Sequence, residues 1–455
     1  MMRRRGKTKE RIAIFGTGYV GLTMAAFFLK RGHPVICVDV IKDRVTKISN
    51  GRSPIYMPGL DEILSDGINT GKLMATSDGL TAARCSRMSF ICVGTPSRPD
   101  GTIDLRYVRS VSKEIGDGLK GRKDFPVVVM KSTVIPLTCK DIVRLILEKR
   151  SKMKAGKGFG LVCNPEFLKE GESLSDSMNP DRIVIGSIDE RSSKMVGDLY
   201  KGLNAPLILT DLTTAEMIKY AANTFLAAKV GLSNEIANIC SAHGVDVYEV
   251  MKGVGLDERI GPHFLRAGAG FGGSCFPKDL KALRAAAMKA KVPLRILPSV
   301  LEQNEVQPLE TVRLLNGALK GLRGRRIALL GLSFKPNTDD VRETRAVPIL
   351  RALLKQGATV RIFDVNKGAM ENFINHVKDL GMTKRIIPCA SIEAALKGSD
   401  GAIIQTESKE FKALRPKDIK NWMRRPIIID GRRTLDPHLM ARSGIIYRGI
   451  GWKNL

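Results

Sequence analysis

The stretch RIAIFGTGYVGLTMAAFFLKRGHPVICVDV, residues 11–40, decides the fold. A short apolar run ends in a glycine turn, an amphipathic segment follows, and a second apolar run closes on Asp39. That succession reads as strand, helix, strand, a β-α-β unit. Within it, GTGYVG sets glycines at 16, 18 and 21. Gly16 permits the tight turn, Gly18 lets backbone approach a pyrophosphate, and Gly21 lets the helix pack closely on the strand. The helix N-terminus then faces the phosphates. Asp39 lies 18 residues past Gly21. An acid there holds both ribose hydroxyls and disfavours a 2′-phosphate, so the spacing selects NAD over NADP.

The plan recurs in RRIALLGLSFKPNTDDVRETRAVPILRALLKQGATVRIFDV, residues 325–365. Two parallel-sheet α/β domains therefore flank a middle region, with further strands in MSFICVG, FPVVVMKST, GAIIQTES and RPIIIDG. The second unit lacks the glycine fingerprint. Its turn, GLSFKPNTDDVRE, either holds a different nucleotide through Lys335 and Arg342 or is a structural copy without a ligand. The middle, from about Thr213 to Lys291, is Ala-rich and helical, and Thr213 with Glu216 fits a capping box at its start. A helix of that length could bridge the two domains and offer a dimer face. The expected division is an NAD-binding domain over 1–205, a helical region carrying the candidate cysteine over 206–305, and a second Rossmann-like domain over 306–455.

Composition narrows the function classes. The chain has 455 residues, 43% hydrophobic and 26% charged, ordinary for two or three globular domains. No apolar run approaches the ~18 residues of a membrane span. The basic start MMRRRGKTKE runs directly into RIAIFG, too short for a signal-peptide core. A cytoplasmic protein with no membrane partner is expected. Eight cysteines without a CxxC pair, and five histidines without ligand spacing, point to reduced thiols and to no metal. The net charge of +28 is either a general surface field or a lure for polyanions. The basic residues are scattered and aromatics make up only 5%, so nucleic acid is not the expected partner.

Three clusters carry candidate chemistry. Cys275 sits in GFGGSCFPKD, where glycines clear space around it and Lys278 and Asp279 follow within one turn. A nearby cation raises a thiolate fraction, so the thiol is a nucleophile or else a small filler. Lys219 and Asn223 share one helix face, able to activate a water or hold an alkoxide, or simply solvated. Glu166 and Glu170 in NPEFLKEG follow the short strand GLVC; a strand-end carboxylate is a candidate base or a loop acid. Taken together, NAD and a reactive thiol suit oxidation of an alcohol to an aldehyde, its capture as a thiohemiacetal, and a second oxidation to a thioester that water hydrolyses. With a nucleotide-binding second domain, that is a four-electron oxidation of a sugar nucleotide.

At this point the chain resembles the UDP-glucose/GDP-mannose dehydrogenase family, and within it the UDP-glucose branch. The motifs run in order: GTGYVG, VGTPSRPDGTIDL, KSTV, NPEFLKEG, NPDRIVIG, AEMIKYAANTFLA, GFGGSCFPKD, GLSFKPNTDDVRE and DGRR. The resemblance implies two Rossmann-like, doubly wound domains joined by a long central helix that dimerises. It implies oxidation of UDP-glucose at C6 to UDP-glucuronate. Cys275 is then the nucleophile, Lys219, Asn223 and Asp279 act at the C6 oxygen and the hydrolytic water, and Glu166 and Thr133 position that water. For NAD it points to Gly16, Gly18, Tyr19, Val20, Gly21, Asp39, Arg44, Thr95, Thr133, Glu170, Lys278 and Arg342. For the UDP-sugar it points to Phe167, Leu168, Lys219, Asn223, the loop from Phe264 through Gly268 to Gly272, Lys335 and Arg432, with Arg259 contributed across a homodimer. Lys169 and the stretch KVGLSNEIA depart from the usual pattern, and the high charge exceeds what the chemistry requires. The alternatives are GDP-mannose or a UDP-N-acetyl-hexosamine as substrate, a two-electron dehydrogenase that ignores the thiol, or a non-catalytic protein that binds nucleotide sugars or polyanions.

Overall fold

The structure is a computed structural model that describes residues 9–168 and 173–452. The chain divides into two compact units, Met1–Ala222 and Asn223–Leu455. The division falls inside one continuous helix, Leu212–Ala242.

The first unit is built on strands β1 (Ile12–Phe15), β2 (Val35–Val38), β3 (Leu73–Thr76), β4 (Met88–Ile91), β5 (Val127–Met130), β6 (Gly160–Cys163), β7 (Ile183–Ser187) and β8 (Leu207–Thr210). They lie in the order β3-β2-β1-β4-β5-β6-β7-β8. Neighbours run parallel except β6 and β7. Every residue of β1, β2, β4, β5 and β6 is buried. That burial explains the unbroken Val/Ile runs, because both faces of such a sheet are covered. The covering helix Tyr19–Lys30 buries Phe27 and Phe28. Phe28 packs on Phe90 of β4 with ring centroids 4.9 Å apart.

The second unit carries β9 (Arg326–Leu330), β10 (Thr359–Phe363), β11 (Ile386–Pro388), β12 (Gly401–Ile404), β13 (Ile427–Asp430) and β14 (Ile446–Gly449). Their order is β11-β10-β9-β12-β13-β14, all parallel. Both sheets thus place their third, second, first, fourth, fifth and sixth strands side by side, the doubly wound Rossmann arrangement. In each, the chain reverses its winding between the first and fourth strands, and that crevice at the strands' carboxyl ends is where such folds bind ligands. The two β-α-β units read from sequence are the first two strands of each sheet.

One expectation needs correction. Thr213 is not the N-cap of the long helix. The Asp211 carboxylate accepts the N–H groups of Thr213 and Thr214 at 2.9 and 3.0 Å. Glu216 turns elsewhere, accepting the N–H of Leu137 and of Cys139 at 2.7 Å each. An anionic carboxylate is the stronger acceptor at a helix N-terminus, so the aspartate one residue before the helix takes the cap and frees the glutamate.

A pair of alanine substitutions separates the roles of two neighbouring glycines. A Cβ on Gly21 would lie 1.9 Å from the Gly16 carbonyl oxygen, a backbone atom that cannot step aside, whereas one on Gly18 meets nothing within 4 Å. Gly21→Ala should therefore cost about 1–3 kcal/mol of unfolding free energy. Gly18→Ala, at a helix N-cap, should cost less than about 1 kcal/mol. Denaturant unfolding of the two variants checks this.

Candidate active site

The first unit presents an open phosphate cradle. Gly16 turns with φ 96°, and a Cβ there would sit 2.9 Å from the Cys92 carbonyl oxygen. Gly18 is the N-cap of helix Tyr19–Lys30, with no side-chain cap. Tyr19, Val20 and Gly21 form the first turn, and the positive end of the helix dipole there favours an anion. Asp39 follows β2, and its buried carboxylate accepts the Thr17 N–H at 2.9 Å, the Thr17 hydroxyl at 2.5 Å and the Ile41 N–H at 3.0 Å. Arg44 approaches it to 3.4 Å. Burial alone would push this carboxyl up. The Thr17 and Ile41 hydrogen bonds and the Arg44 guanidinium outweigh burial and hold it below the ordinary aspartate range, hence ionised. Across the crevice, the Thr95 hydroxyl donates to the Thr133 carbonyl at 2.9 Å, tying the turns after β4 and β5 together. An open glycine backbone on a helix N-terminus, with an ionised acid one strand away, fits NAD. Bound there, the cofactor would supply hydride acceptance.

In the same unit Glu166 and Lys219 form a buried ion pair at 3.1 Å, and Glu166 accepts the Leu168 N–H at 2.6 Å. Burial would raise the Glu166 carboxyl, but the Lys219 ammonium, the Leu168 N–H and the Lys131 ammonium hold it below the ordinary glutamate range. The Phe167 ring lies under the Arg182 guanidinium at 3.8 Å and 5.3 Å from the Lys219 ammonium. Phe167 and Leu168 line a cavity with Lys131, Asn164 and Tyr200. Glu170, and with it Lys169, lies outside the described residues.

In the second unit the exposed Cys275 is the N-cap of helix Phe276–Lys289, with Pro277 in the first turn. The Lys278 ammonium is ion-paired with Asp279 rather than directed solely at the thiol. Asp279 is buried and also accepts the Asn223 amide at 2.6 Å. The preceding glycine loop is held from below by amides: Asn234 accepts the Gly268 N–H at 2.8 Å, Asn304 brackets Phe271 through N–H and carbonyl at 2.7 and 3.0 Å, and Gln307 donates to Gly268 at 3.0 Å.

Above that loop, at the carboxyl ends of β9, β12 and β13, a cleft is lined by Phe264, Gly272, Lys335 and Arg432, together with Arg266, Thr406 and Glu407. It therefore occupies the switch point of the second sheet. Gly268 lies against Arg432, where a Cβ would come 3.0 Å from the guanidinium. Phe264 holds a left-handed φ of 64°, a conformation costly for a bulky side chain. Arg342 turns its guanidinium to Asp340 at 2.5–2.9 Å, and Arg259 pairs with Asp257 at the surface. Neither lines this cleft.

Sequence reading missed several of these groups. It gives Lys131 and Tyr200 no role: Lys131 follows the apolar run VVVM and opens the motif KSTV, and Tyr200 lies in no quoted motif. Arg266 falls within the loop from Phe264 to Gly272 that the resemblance assigns to the UDP-sugar, whereas Thr406 and Glu407, inside the stretch GAIIQTES, carry no pattern of their own. Cys139, Cys163 and Glu216, all buried, bring ligand-type atoms within 4.8 Å of one another. Both Glu216 oxygens are already engaged by backbone N–H groups.

A dinucleotide cradle in one Rossmann unit, and in the other a thiol on a helix N-terminus beside a second nucleotide-type cleft, define an NAD-dependent oxidoreductase of nucleotide-linked substrates. Comparison with known proteins specifies it further. Residues 10–204, 213–306 and 328–437 match the NAD binding, central and UDP binding domains of the UDP-glucose/GDP-mannose dehydrogenase family. A UDP-glucose 6-dehydrogenase of Bacillus subtilis is 40% identical over 97% of this chain and 93% of its own. A GDP-mannose 6-dehydrogenase of Pseudomonas putida is 40% identical over 89% of this chain and 92% of its own. The solved UDP-glucose dehydrogenase of Pyrobaculum islandicum superposes with a TM-score of 0.90 at 38% identity, covering 99% of this chain and 100% of its own. The chain belongs to the UDP-glucose/GDP-mannose dehydrogenase family.

Gly18→Ala tests the cradle. A methyl group there points into the open space above the turn. It should raise the Kd for NAD at least about tenfold by displacing the pyrophosphate from the helix N-terminus, while UDP binding is unchanged. Calorimetric titration with each nucleotide reads both.

Proposed function

We propose that the protein oxidises UDP-glucose at C6 to UDP-glucuronate in two NAD-dependent steps, with Cys275 as the covalent nucleophile. The observation that carries this reading is the exposed Cys275 thiol at a helix N-terminus, one turn from a buried Asp279 held by Asn223 and Lys278. A helix N-terminus favours a thiolate. In the proposed sequence the sulfur adds to the C6 aldehyde left by the first oxidation, and the thiohemiacetal oxygen takes up a proton. After the second oxidation the sulfur carries a thioester, and water releases the acid and returns the thiol.

Lys219, Asn223 and Asp279 act at the C6 oxygen and on the hydrolytic water, which Glu166 and Thr133 position. Support comes from the Lys219 pair, which keeps Glu166 an anion able to accept a proton from water. Gly16, Gly18, Tyr19, Val20, Gly21, Asp39, Arg44, Thr95, Glu170, Lys278 and Arg342 serve NAD. Lys335 and Arg432 meet the diphosphate within the cleft that also contains Phe264 and Gly272. The +28 net charge favours such anionic substrates.

The protein works in the cytoplasm as a homodimer. Supporting the first, no helix among the described residues is long and apolar enough to cross a membrane, and the eight cysteines form no disulfide. Supporting the second, Phe225, Leu232 and Ile239 recur every seven residues along the long helix and are 73%, 60% and 54% exposed, an apolar stripe that a second copy would cover. Arg259 is the residue lent across that interface.

With limiting UDP-glucose and excess NAD, two NADH should form per sugar, and Cys275→Ala should abolish that yield. One NADH would remove the thioester from the account. No NADH would send the assay to GDP-mannose and the UDP-N-acetyl-hexosamines. Phe225→Asp should halve the mass measured by sedimentation equilibrium.

A further inference from the structure

Lys131 is the first residue after β5, and Asn164 the first after β6. The strand register pairs Met130 with Cys163, so the two stand side by side at the sheet's carboxyl edge. The Lys131 side chain is buried, with its ammonium 3.0 Å from Asn164 Oδ1 and 3.4 Å from the Tyr200 hydroxyl. Tyr200 in turn donates to the same Asn164 oxygen at 2.5 Å. These neutral partners anchor the ammonium without neutralising it.

A buried lysine is costly, and an apolar side chain would fill the same space more cheaply. Its charge therefore calls for an anionic counterpart. Facing it are Glu166, Lys219 on the long helix, Cys92 after β4, Cys163 and Tyr200, and Glu166 is the carboxylate among them. Asp176, Asp181 and Arg182 line the adjoining cavity.

We propose that Lys131 is a positioning residue for the dehydrogenase reaction, supplying from behind the NPEF loop the second positive charge that keeps the Glu166 carboxylate charged and in place beside Lys219. This rests on the reading of Glu166 as the group that positions the hydrolytic water. Burial pulls the Lys131 ammonium down to about 8, against the attraction of Glu166, so it is charged throughout the range in which a carboxylate titrates. Removing one of two cations raises the pKa of the carboxyl they face. Activity that needs the carboxylate is then lost at a higher pH.

The test is the acid limb of kcat with saturating UDP-glucose and NAD, measured for the unmutated enzyme, Lys131→Gln, Lys131→Arg and Glu166→Gln. Lys131→Gln keeps a donor for Asn164 but no charge, and should move the limb upward by about one pH unit. Lys131→Arg should leave it in place, and Glu166→Gln should abolish it. If Lys131→Gln lowers kcat equally at every pH, Lys131 is merely structural and the inference falls while the Glu166 reading stands. A limb that persists in Glu166→Gln overturns the Glu166 reading itself. Should Lys131→Gln fail to fold, Lys131→Met takes its place: the limb should again move upward by about one pH unit, and a limb left where it is in the unmutated enzyme refutes the inference.

Discussion

Backbone lying against backbone, with no room for a β-carbon between, is the constraint on which the architecture turns. A Cβ on Gly21 would come 1.9 Å from the Gly16 oxygen, one on Gly331 2.6 Å from the Thr406 nitrogen, and one on Gly272 2.3 Å from the Glu343 oxygen. The first approach brings a helix N-terminus down onto β1, which aims its N–H groups into the crevice. The second brings the turns after β9 and β12 together at the switch point of the other sheet. The third presses the loop before Cys275 onto the turn that follows β9. Each candidate site is thus shaped by main chain, and its polar side chains are arranged around that shape.

This dependence explains what could be read in advance. Glycine spacing and a distal acid are local features, so the first β-α-β unit and Asp39 were legible from residues 11–40 alone. The second unit lacks that fingerprint, and its turn could be read as either a nucleotide site or a structural copy. Three chain-distant turns meet there, placing Lys335, Thr406 and Arg432 in one cleft, and no local spacing encodes such a meeting. The misread cap at Thr213 has the same origin. A capping box is a local pattern, but Glu216 has tertiary N–H partners some 77 and 79 residues away. The surroundings of Lys131 were hidden for a related reason: in sequence it opens the motif KSTV after an apolar strand, and only β5–β6 register shows that it stands beside Asn164.

The charges around the candidate chemistry follow one arrangement, in which each buried acid is shared by more than one donor. Asp39 has Thr17, Ile41 and Arg44; Asp279 has Asn223 and Lys278; Glu166 has Lys219, Leu168 and the field of Lys131. Burial by itself would raise the Asp39 and Glu166 carboxyls, because a lone carboxylate away from water is expensive. Several donors per acid offset that cost and also fix its direction, since a carboxylate bonded on both oxygens cannot rotate freely. The surplus of basic residues in the whole chain therefore has a local counterpart in these sites. Where a reaction must accept protons inside a closed protein, acids kept ionised and immobile by neighbouring cations and amides are ready before substrate arrives, and no reorganisation is needed at the moment of reaction.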